Sequence, residues 1–354
     1  MNTHRESKRF ALRLFALAAA AFLFLSTWAA AGGPVDDFPG FISSTANKIG
    51  DVAIDKTGNV YVSVSVGAFV KIWKFSPAGE PSFVADIGEG VAYGLALDAN
   101  GDIYAAITGT GRGVYRVGRD GISVRLPGTE HIFYANAMAF DQRGNLYVTE
   151  STSGSPGAYG QGGIWRIPPG GEAELMLRHE LLTGRGVLGA PIGANGIAYY
   201  HGELYVANCD WGFIVRIPIR PNGRLGQPEN WATLQEVPGS PLAGSPLPVM
   251  PDGLALDVHG NVYIALVSRL AVVRINAGDT PSQETIALFS FIPNAPLFAP
   301  LDTPNSLAFG TGKGGRQSLF VTNLGLMTGW APGFPWSGPG LMKIDADTPG
   351  LPLP

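Results

Sequence analysis

Short apolar runs followed by polar turns and alternating segments recur along most of the chain. Residues 250–265, MPDGLALDVHGNVYIA, are one example, in which an apolar run ends at Leu256, a turn contains Gly260 and the alternating segment NVYIA follows. Gly accepts the positive φ of a tight turn, and β-branched and aromatic residues favour strands. The pattern predicts two antiparallel strands, with Asp252 just before the buried part of the first.

The same pair of strands occurs six times. The other five copies, of which the last is degraded, span 49–65, 92–108, 135–151, 194–210 and 304–323. A third strand is predicted after them, at 71–76, 113–118, 163–168, 213–218, 271–276 and 340–345. Segments such as 81–87 and 285–291 supply a fourth strand. No helical periodicity of any length appears after the N-terminal region.

A four-stranded sheet that repeats about every 40–60 residues is typical of a β-propeller blade. We therefore predict an all-β fold, a six-bladed β-propeller with four-stranded antiparallel blades around a central channel, formed by residues 32–354 as a single domain. The sixth copy has only three evident strands. We expect Phe38–Ser44 to supply its missing outer strand and so close the ring.

Residues 1–31 have the features of a secretory signal peptide. Basic residues precede an uninterrupted apolar run at 14–25, and small residues at 29–31 offer a cleavage site. The run is short for a membrane span, and an uncleaved anchor is the alternative. We expect a secreted or periplasmic protein with no membrane span in the mature chain.

Charge and cysteine content narrow the range of partners. Loss of residues 1–31 removes four basic residues and one acidic residue, so the formal net charge moves from -4 to -7. A mildly acidic protein is a poor candidate for binding nucleic acid or an anionic membrane surface. Cys209 is the only cysteine, so a large core must stabilise the fold without an internal disulfide. We expect a monomer.

The six copies place oxygen-bearing side chains at one equivalent position. Two residues before Leu254 and its equivalents lie Gly50, Tyr93, Asn136, Asn195, Asp252 and Asn305. In a propeller these positions start the innermost strands and converge on the axis. We call these six residues the ring, because they surround the mouth of the predicted channel. One carboxylate and three amides suit a hard cation, with Ca²⁺ favoured over Mg²⁺, and another divalent cation remains open. The alternative is that these side chains cap turns or bond the local backbone.

The blade motifs resemble those of the SMP-30/gluconolactonase-like superfamily, which includes paraoxonases, diisopropylfluorophosphatase and strictosidine synthase-like proteins. The segments PDGLALDVHGNVYIA and ANGIAYYHGELYVAN carry the resemblance, which is shared with NHL-repeat propellers. It implies a channel cation held by a Glu, two Asn and an Asp, here matching Asn136, Asn195 and Asp252. Gly50 stands where the family has the Glu. Asp51 is one residue away, which on a regular strand places it on the opposite face.

Candidate catalytic and pocket residues lie near the predicted ring. Asp252 is a candidate general base or nucleophile, and His131 or His179, which precede innermost strands, could be a general base. Loops that join second to third strands should lie at the same mouth and carry aromatic residues. The predicted substrate pocket comprises Tyr93, Glu150, Tyr159, Asn208, Trp211 and Trp330. These aromatic residues indicate either an apolar pocket or simple packing of long loops.

Three functions fit this pattern. The first is an exported hydrolase that uses a divalent metal to cleave a lactone or ester, the reaction class that the resemblance implies. The second is a non-catalytic, NHL-like propeller that binds a small neutral or hydrophobic molecule or a protein. The third is a lyase or synthase of related fold. The oxygen ring favours the first function, and the missing Glu favours the second.

Overall fold

Six four-stranded antiparallel sheets form the molecule. The computed structural model describes residues 36–37, 47–154, 157–278, 280–289, 301–312, 315–326 and 339–352. The predicted export signal lies outside these ranges. Among the described residues the only helices are three single 3-10 turns, at Thr129–His131, Glu180–Leu182 and Val267–Arg269. No helix in these ranges is long and apolar enough to cross a membrane. The all-β, six-bladed prediction is confirmed.

The first three blades follow the chain from the innermost to the outermost strand. Blade 1 comprises β2 (Asn47–Ile54), β3 (Val60–Val66), β4 (Phe69–Phe75) and β5 (Pro81–Glu89). Blade 2 comprises β6 (Val91–Leu97), β7 (Ile103–Thr108), β8 (Gly113–Val117) and β9 (Ser123–Arg125). Blade 3 comprises β10 (Ala135–Phe140), β11 (Leu146–Glu150), β12 (Gly163–Ile167) and β13 (Glu174–Arg178).

The last three blades continue in the same order until the ring closes. Blade 4 comprises β14 (Ala194–Tyr200), β15 (Glu203–Asn208), β16 (Phe213–Pro218) and β17 (Glu229–Thr233). Blade 5 comprises β18 (Pro251–Leu256), β19 (Val262–Leu266), β20 (Ala271–Asn276) and β21 (Ser282–Leu288). Blade 6 comprises β22 (Pro304–Phe309), β23 (Ser318–Leu324), β24 (Pro339–Asp345) and β1 (Asp36–Asp37).

An N-terminal strand closes the ring, as predicted, and its described part is Asp36–Asp37. Asp36 pairs with Lys343 and Asp37 with Met342, so β1 is the outer strand of blade 6. The predicted segment Phe38–Ser44 lies outside the described residues. The outer strand therefore starts earlier in the chain than the sequence pattern indicated.

In blades 1, 2, 3 and 5, an Asp and a Gly build the turn between the first and second strands. In blade 5, Asp257 Oδ1 accepts hydrogen bonds from the backbone N–H groups of His259 and Asn261, each at 2.9 Å. Gly260 then adopts a φ of 82°, which a residue with a side chain rarely tolerates. Because the carboxylate satisfies the turn amides, each such turn fixes the register of its strand pair.

The hydrophobic core is divided among the interfaces between blades. Each of six buried apolar clusters joins two neighbouring sheets, such as Leu97 and Val70 between blades 1 and 2, or Tyr147 and Leu204 between blades 3 and 4. A single sheet cannot bury both faces, so the stacking of blades supplies the burial that stabilises the fold. Because six blades follow one another around the axis, blades 2 and 5 lie on opposite sides of it.

Candidate functional site

Every innermost strand is irregular at the position that alignment of the six repeat copies identified. The antiparallel register shifts between Ile49 and Val52 in β2, and between Pro251 and Leu254 in β18. The other four innermost strands shift at the equivalent place. A bulge of this kind leaves residues outside the regular alternation and redirects their side chains.

The bulge overturns the expectation that Asp51 faces away from the axis. Strict alternation places Asp51 on the opposite face from position 50, but both residues lie inside the register shift of β2. Asp51 Oδ2 accepts a 2.6 Å hydrogen bond from the backbone N–H of Leu95 in blade 2. Asp51 Oδ1 accepts one from the Ser306 hydroxyl in blade 6. Asp51 therefore links three neighbouring blades beside the channel.

Glycines bring neighbouring innermost strands into direct contact at the ring. A Cβ added to Gly196 would collide with the Asp252 carbonyl, and one added to Gly94 would collide with the Asn136 carbonyl. Between blades 6 and 1, Asn305 Nδ2 donates to Gly50 O at 2.6 Å. The glycines that follow ring positions are thus required for close packing around the axis.

Two ring amides have oxygens without partners. Asn195 Oδ1 and Asn305 Oδ1 are buried and accept no hydrogen bond from any residue that the structure describes. The third amide, Asn136, donates from Nδ2 to Ser151 Oγ at 2.9 Å. Buried polar atoms are almost always paired, because an unpaired one costs about 1–3 kcal/mol. Unpaired oxygens on both neighbours of blade 5 therefore point to a ligand at this position.

Asp252 lies between these two amides and is hard to ionise. Its burial raises the pKa of the carboxyl to about 8, and the negative charge of Asp51 acts in the same direction. A hydrogen bond with the Asn195 side chain opposes the increase. Burial also raises the pKa of Asp51, to about 6, against its hydrogen bonds with Ser306, Leu95 and Val52. The pKa values of two carboxyl groups, one from blade 1 and one from blade 5, are thus raised, and the charge of one acts on the other.

The donor set fits a divalent cation only in part. One carboxylate and two unpaired amide oxygens are hard ligands of the kind that Ca²⁺ accepts. Within the described ranges, no group of three or more His, Cys, Asp or Glu side chains is placed to hold a metal. Gly50 cannot supply the family's Glu, because a Cβ there would collide with the carbonyl of Ala92. A cation here would therefore depend on Asp252, Asn195 and Asn305, with Asn136 nearby.

Tyrosine hydroxyls lie on the other side of the ring. Tyr93, the ring residue of blade 2, accepts a 2.7 Å hydrogen bond from the hydroxyl of Tyr134. Their ring centroids are 5.2 Å apart. Burial raises the pKa of both phenols, and the charge of Asp252 raises both further. Sequence reasoning missed Tyr134, which directly precedes the innermost strand β10 and carries no repeat signal.

Other predicted pocket residues form contacts within the protein. Glu150 is fully buried and accepts hydrogen bonds from Phe133 N, Trp165 Nε1 and Arg178 Nη2 at 2.7–2.8 Å. Asn208, also buried, donates to the carbonyls of Leu181 and Thr183. These bonds hold the loops of blades 3 and 4 in place.

The aromatic residues of the loops are more accessible. Trp211 is 48% exposed, and the Arg185 guanidinium stacks 4.4 Å from its ring centroid. Tyr159 is half-buried and lies near Tyr134. Trp330 lies outside the described residues. The described mouth thus combines apolar surface with one exposed cation.

The histidines and the cysteine have no described contact with Asp252 that suits catalysis. His131 lies in an exposed 3-10 turn, where its Nε2 is 3.7 Å from Glu130 Oε1. His179 Nδ1 accepts a hydrogen bond from Leu181 N and so caps the next 3-10 turn. Cys209 is buried, and its burial raises the pKa of the thiol, as do the charges of Asp252 and Asp210. Such a thiol is a poor nucleophile.

The channel beneath the ring is apolar. A cavity of about 520 Å³ is lined by the innermost strands of all six blades and reaches Asp51 and Ser306 at the ring. At the other mouth it is bordered by Phe140, Tyr200 and Leu351. The oxygen-bearing ring is therefore the polar end of a mainly hydrophobic tunnel.

Six four-stranded antiparallel blades around a central channel define the class of six-bladed β-propellers. The chain belongs to the SMP-30/Gluconolactonase/LRE-like family, whose sequence profile matches residues 128–322. A search of curated proteins finds no match. The family resemblance expected from the blade motifs is thus confirmed.

Solved structures agree with this fold. A proposed gluconolactonase superimposes with a TM-score of 0.60 at 15% identity, covering 91% of this chain and 95% of that one. A luciferin-regenerating enzyme gives a TM-score of 0.64 at 16% identity, covering 90% and 98%. Virginiamycin B lyase from Staphylococcus aureus gives 0.50 at 12% identity, covering 88% and 98%. At these identities the similarity concerns the fold alone.

Proposed function

We propose that this protein is an exported hydrolase that uses a divalent cation, Ca²⁺ first, to cleave a lactone or ester at the ring. The observation that carries the proposal is the position of Asp252 between the unpaired oxygens of Asn195 and Asn305. Membership of the family and the gluconolactonase-like neighbour support the lactonase class.

The ring residues have separate roles in this proposal. Asn195, Asp252 and Asn305 would hold the cation, with Asn136 as a further oxygen ligand. When bound, the cation supplies positive charge that polarises the carbonyl group of the substrate. Asp252 starts largely protonated at neutral pH, because its pKa is about 8, and it must release this proton to act as a ligand or base.

Asp252 acts as the general base in the proposed reaction. It accepts a proton from water while the water oxygen bonds to the carbonyl carbon and the carbonyl electron pair moves onto oxygen. When the C–O bond to the leaving alcohol breaks, Asp252 returns the proton to the departing oxygen. The half-buried Tyr159 and the exposed Trp211 supply apolar surface for a neutral or hydrophobic substrate.

One observation favours the second candidate, a binding propeller without catalysis. Gly50 replaces the family's Glu, and the packing of Ala92 leaves no room for a longer side chain there. A ring with fewer charges would bind a cation weakly, and the same apolar mouth would then serve a small hydrophobic ligand. The substrate panel below distinguishes the two functions.

The test measures hydrolysis of a panel of lactones and aryl esters with Ca²⁺ and with chelator. We expect calcium-dependent turnover that falls by about 10²–10⁴-fold in Asp252→Asn, the range for loss of a general base. Asp120→Asn, which removes an exposed turn carboxylate in blade 2, is the control and should retain activity. Turnover that is equal in Asp252→Asn and the wild type would remove the catalytic assignment. Absence of turnover with retained ligand binding would favour the second candidate.

A further inference from the structure

The tyrosine pair Tyr93–Tyr134 lies across the channel from Asp252. Tyr93 occupies the bulge of β6, between the register positions of Ala92 and Gly94. This is the ring position of blade 2, and Asp252 is the ring residue of blade 5. Because opposite blades of a six-bladed ring face each other, a molecule bound on the axis lies between Tyr93 and Asp252.

The hydrogen bond within the pair has a direction. The Tyr134 hydroxyl donates to the Tyr93 oxygen at 2.7 Å. Tyr93 therefore uses its oxygen as an acceptor, and its own hydroxyl hydrogen remains for another acceptor. Among the residues that the structure describes, none accepts that hydrogen in a hydrogen bond. A hydroxyl that already accepts a hydrogen bond is a stronger donor, since hydrogen bonds in a chain polarise one another.

The surroundings keep both phenols neutral and fixed. Both side chains are half-buried, and their rings pack against each other at an interplanar angle of 41°. The negative charge of Asp252 and the burial of the rings disfavour loss of either proton. The acceptor groups of Asn195, Asp252 and Asn305 thus come from blades 4 to 6, whereas the two tyrosine hydroxyls come from blade 2 and from the residue before blade 3.

We propose that Tyr93 is a catalytic residue that donates a hydrogen bond to the carbonyl oxygen of a substrate bound opposite Asp252. Tyr134 is a positioning residue, which orients the Tyr93 hydroxyl and strengthens it as a donor. This inference rests on the proposed function. The proton stays on Tyr93 throughout, so the residue stabilises charge on the carbonyl oxygen without transferring a proton.

The first experiment measures binding, which does not require turnover. δ-Valerolactam has the ring carbonyl of a lactone but resists hydrolysis, and calorimetry in calcium-containing buffer gives its affinity. We expect Tyr93→Phe to weaken lactam binding by about five- to tenfold, the effect of losing one neutral hydrogen bond. Tyr134→Phe should weaken it by a smaller factor. Tyr115→Phe is the matched control, because the hydroxyl of Tyr115 donates to Gly111 O within the same blade.

The double variant separates positioning from structural support. If Tyr134 acts through Tyr93, then Tyr134→Phe should have no further effect once Tyr93 is Phe. Additive losses in the double variant would overturn the positioning role of Tyr134. In active protein, Tyr93→Phe should lower kcat more than it raises KM, because charge on the carbonyl oxygen grows in the transition state.

The outcomes separate this inference from the proposed hydrolase. Failure of the wild type to bind lactam, or equal affinity in Tyr93→Phe, overturns the role of Tyr93. Hydrolysis whose kcat is unchanged in Tyr93→Phe also overturns it, while the hydrolase assignment survives. Lactam binding that depends on Tyr93, in a protein that hydrolyses no substrate of the panel, supports Tyr93 as the carbonyl donor and removes the hydrolase.

Discussion

The charge of Asp51 opposes the ionisation of the Asp252 carboxyl group. Asp51 comes from the bulge of blade 1 and Asp252 from that of blade 5. The charge of Asp51 raises the pKa of Asp252, to which burial is the larger contribution. When both carboxyl groups are ionised they repel each other, and a bound cation or a proton reduces this repulsion.

Stability without a cation should fall as pH rises. Both groups have folded-state pKa values, about 6 for Asp51 and about 8 for Asp252, above the ordinary value of 3.8. A raised folded pKa means that the folded state holds the proton more tightly, so this stabilisation is present at low pH and is lost between about pH 4 and 8. Thermal melts in chelator should show Asp252→Asn gaining stability relative to the wild type across this window. A pH profile of Asp252→Asn that runs parallel to that of the wild type would contradict the raised pKa.

Calcium should stabilise the protein, and more strongly at high pH. The cation competes with the proton on Asp252, so its affinity rises as pH approaches 8. Saturation at about 100 times Kd adds about 2.7 kcal/mol to the free energy of unfolding. We expect the melting temperature to increase on addition of Ca²⁺ at pH 8 and to increase less at pH 5. In Asp252→Ala, addition of Ca²⁺ should leave the melting temperature unchanged. The metal site is refuted if chelator leaves the wild-type melt unchanged.

Gly196→Ala should destabilise the ring. The new Cβ would collide with the backbone carbonyl of Asp252, so either blade 4 or blade 5 must move. Overpacking of this kind costs about 1–3 kcal/mol. Denaturant unfolding measures the loss. Gly278→Ala is the control, because its Cβ would meet no atom within 4 Å. Equal stability of the two variants would show that the ring tolerates the extra atom.

Glu150→Gln should reduce stability without changing ligand affinity. The buried carboxylate accepts hydrogen bonds from Trp165 and Arg178 and so joins three segments of blade 3. Weakening bonds to a buried charged group costs about 1–3 kcal/mol. Urea unfolding and lactam calorimetry together check both parts. Glu174→Gln, which removes an exposed partner of Arg166, serves as the control. A large loss of lactam affinity in Glu150→Gln would show that Glu150 belongs to the substrate pocket.

The fold was predictable because the repeat encodes local structure six times. Turn residues such as Asp257 and Gly260 act on the nearby backbone, so their role can be predicted from the sequence alone. Alignment of the copies also identified Asp252 and Asn195 as equivalent positions around one axis. Both inferences depend on short-range patterns that recur from blade to blade.

The sequence did not reveal irregular backbone or contacts between distant segments. Alternation assigned Asp51 to the wrong face because a bulge interrupts β2. Glu150 looked available because nothing in its own segment reveals its bonds with Trp165 and Arg178. Tyr134 carries no repeat signal and became visible only through its bond with Tyr93. Site residues of this kind can be identified only from the three-dimensional structure.

The pairing of Asp36 with Lys343 has a consequence for how the chain reaches its native state. These two residues are about 300 positions apart, yet their strands complete one sheet. Closure of so large a loop is entropically slow, and blade 6 keeps an unpaired edge until it happens. Blade 6 can therefore be completed only after β24 has been synthesised, and until then its open edge is a site for pairing with other chains.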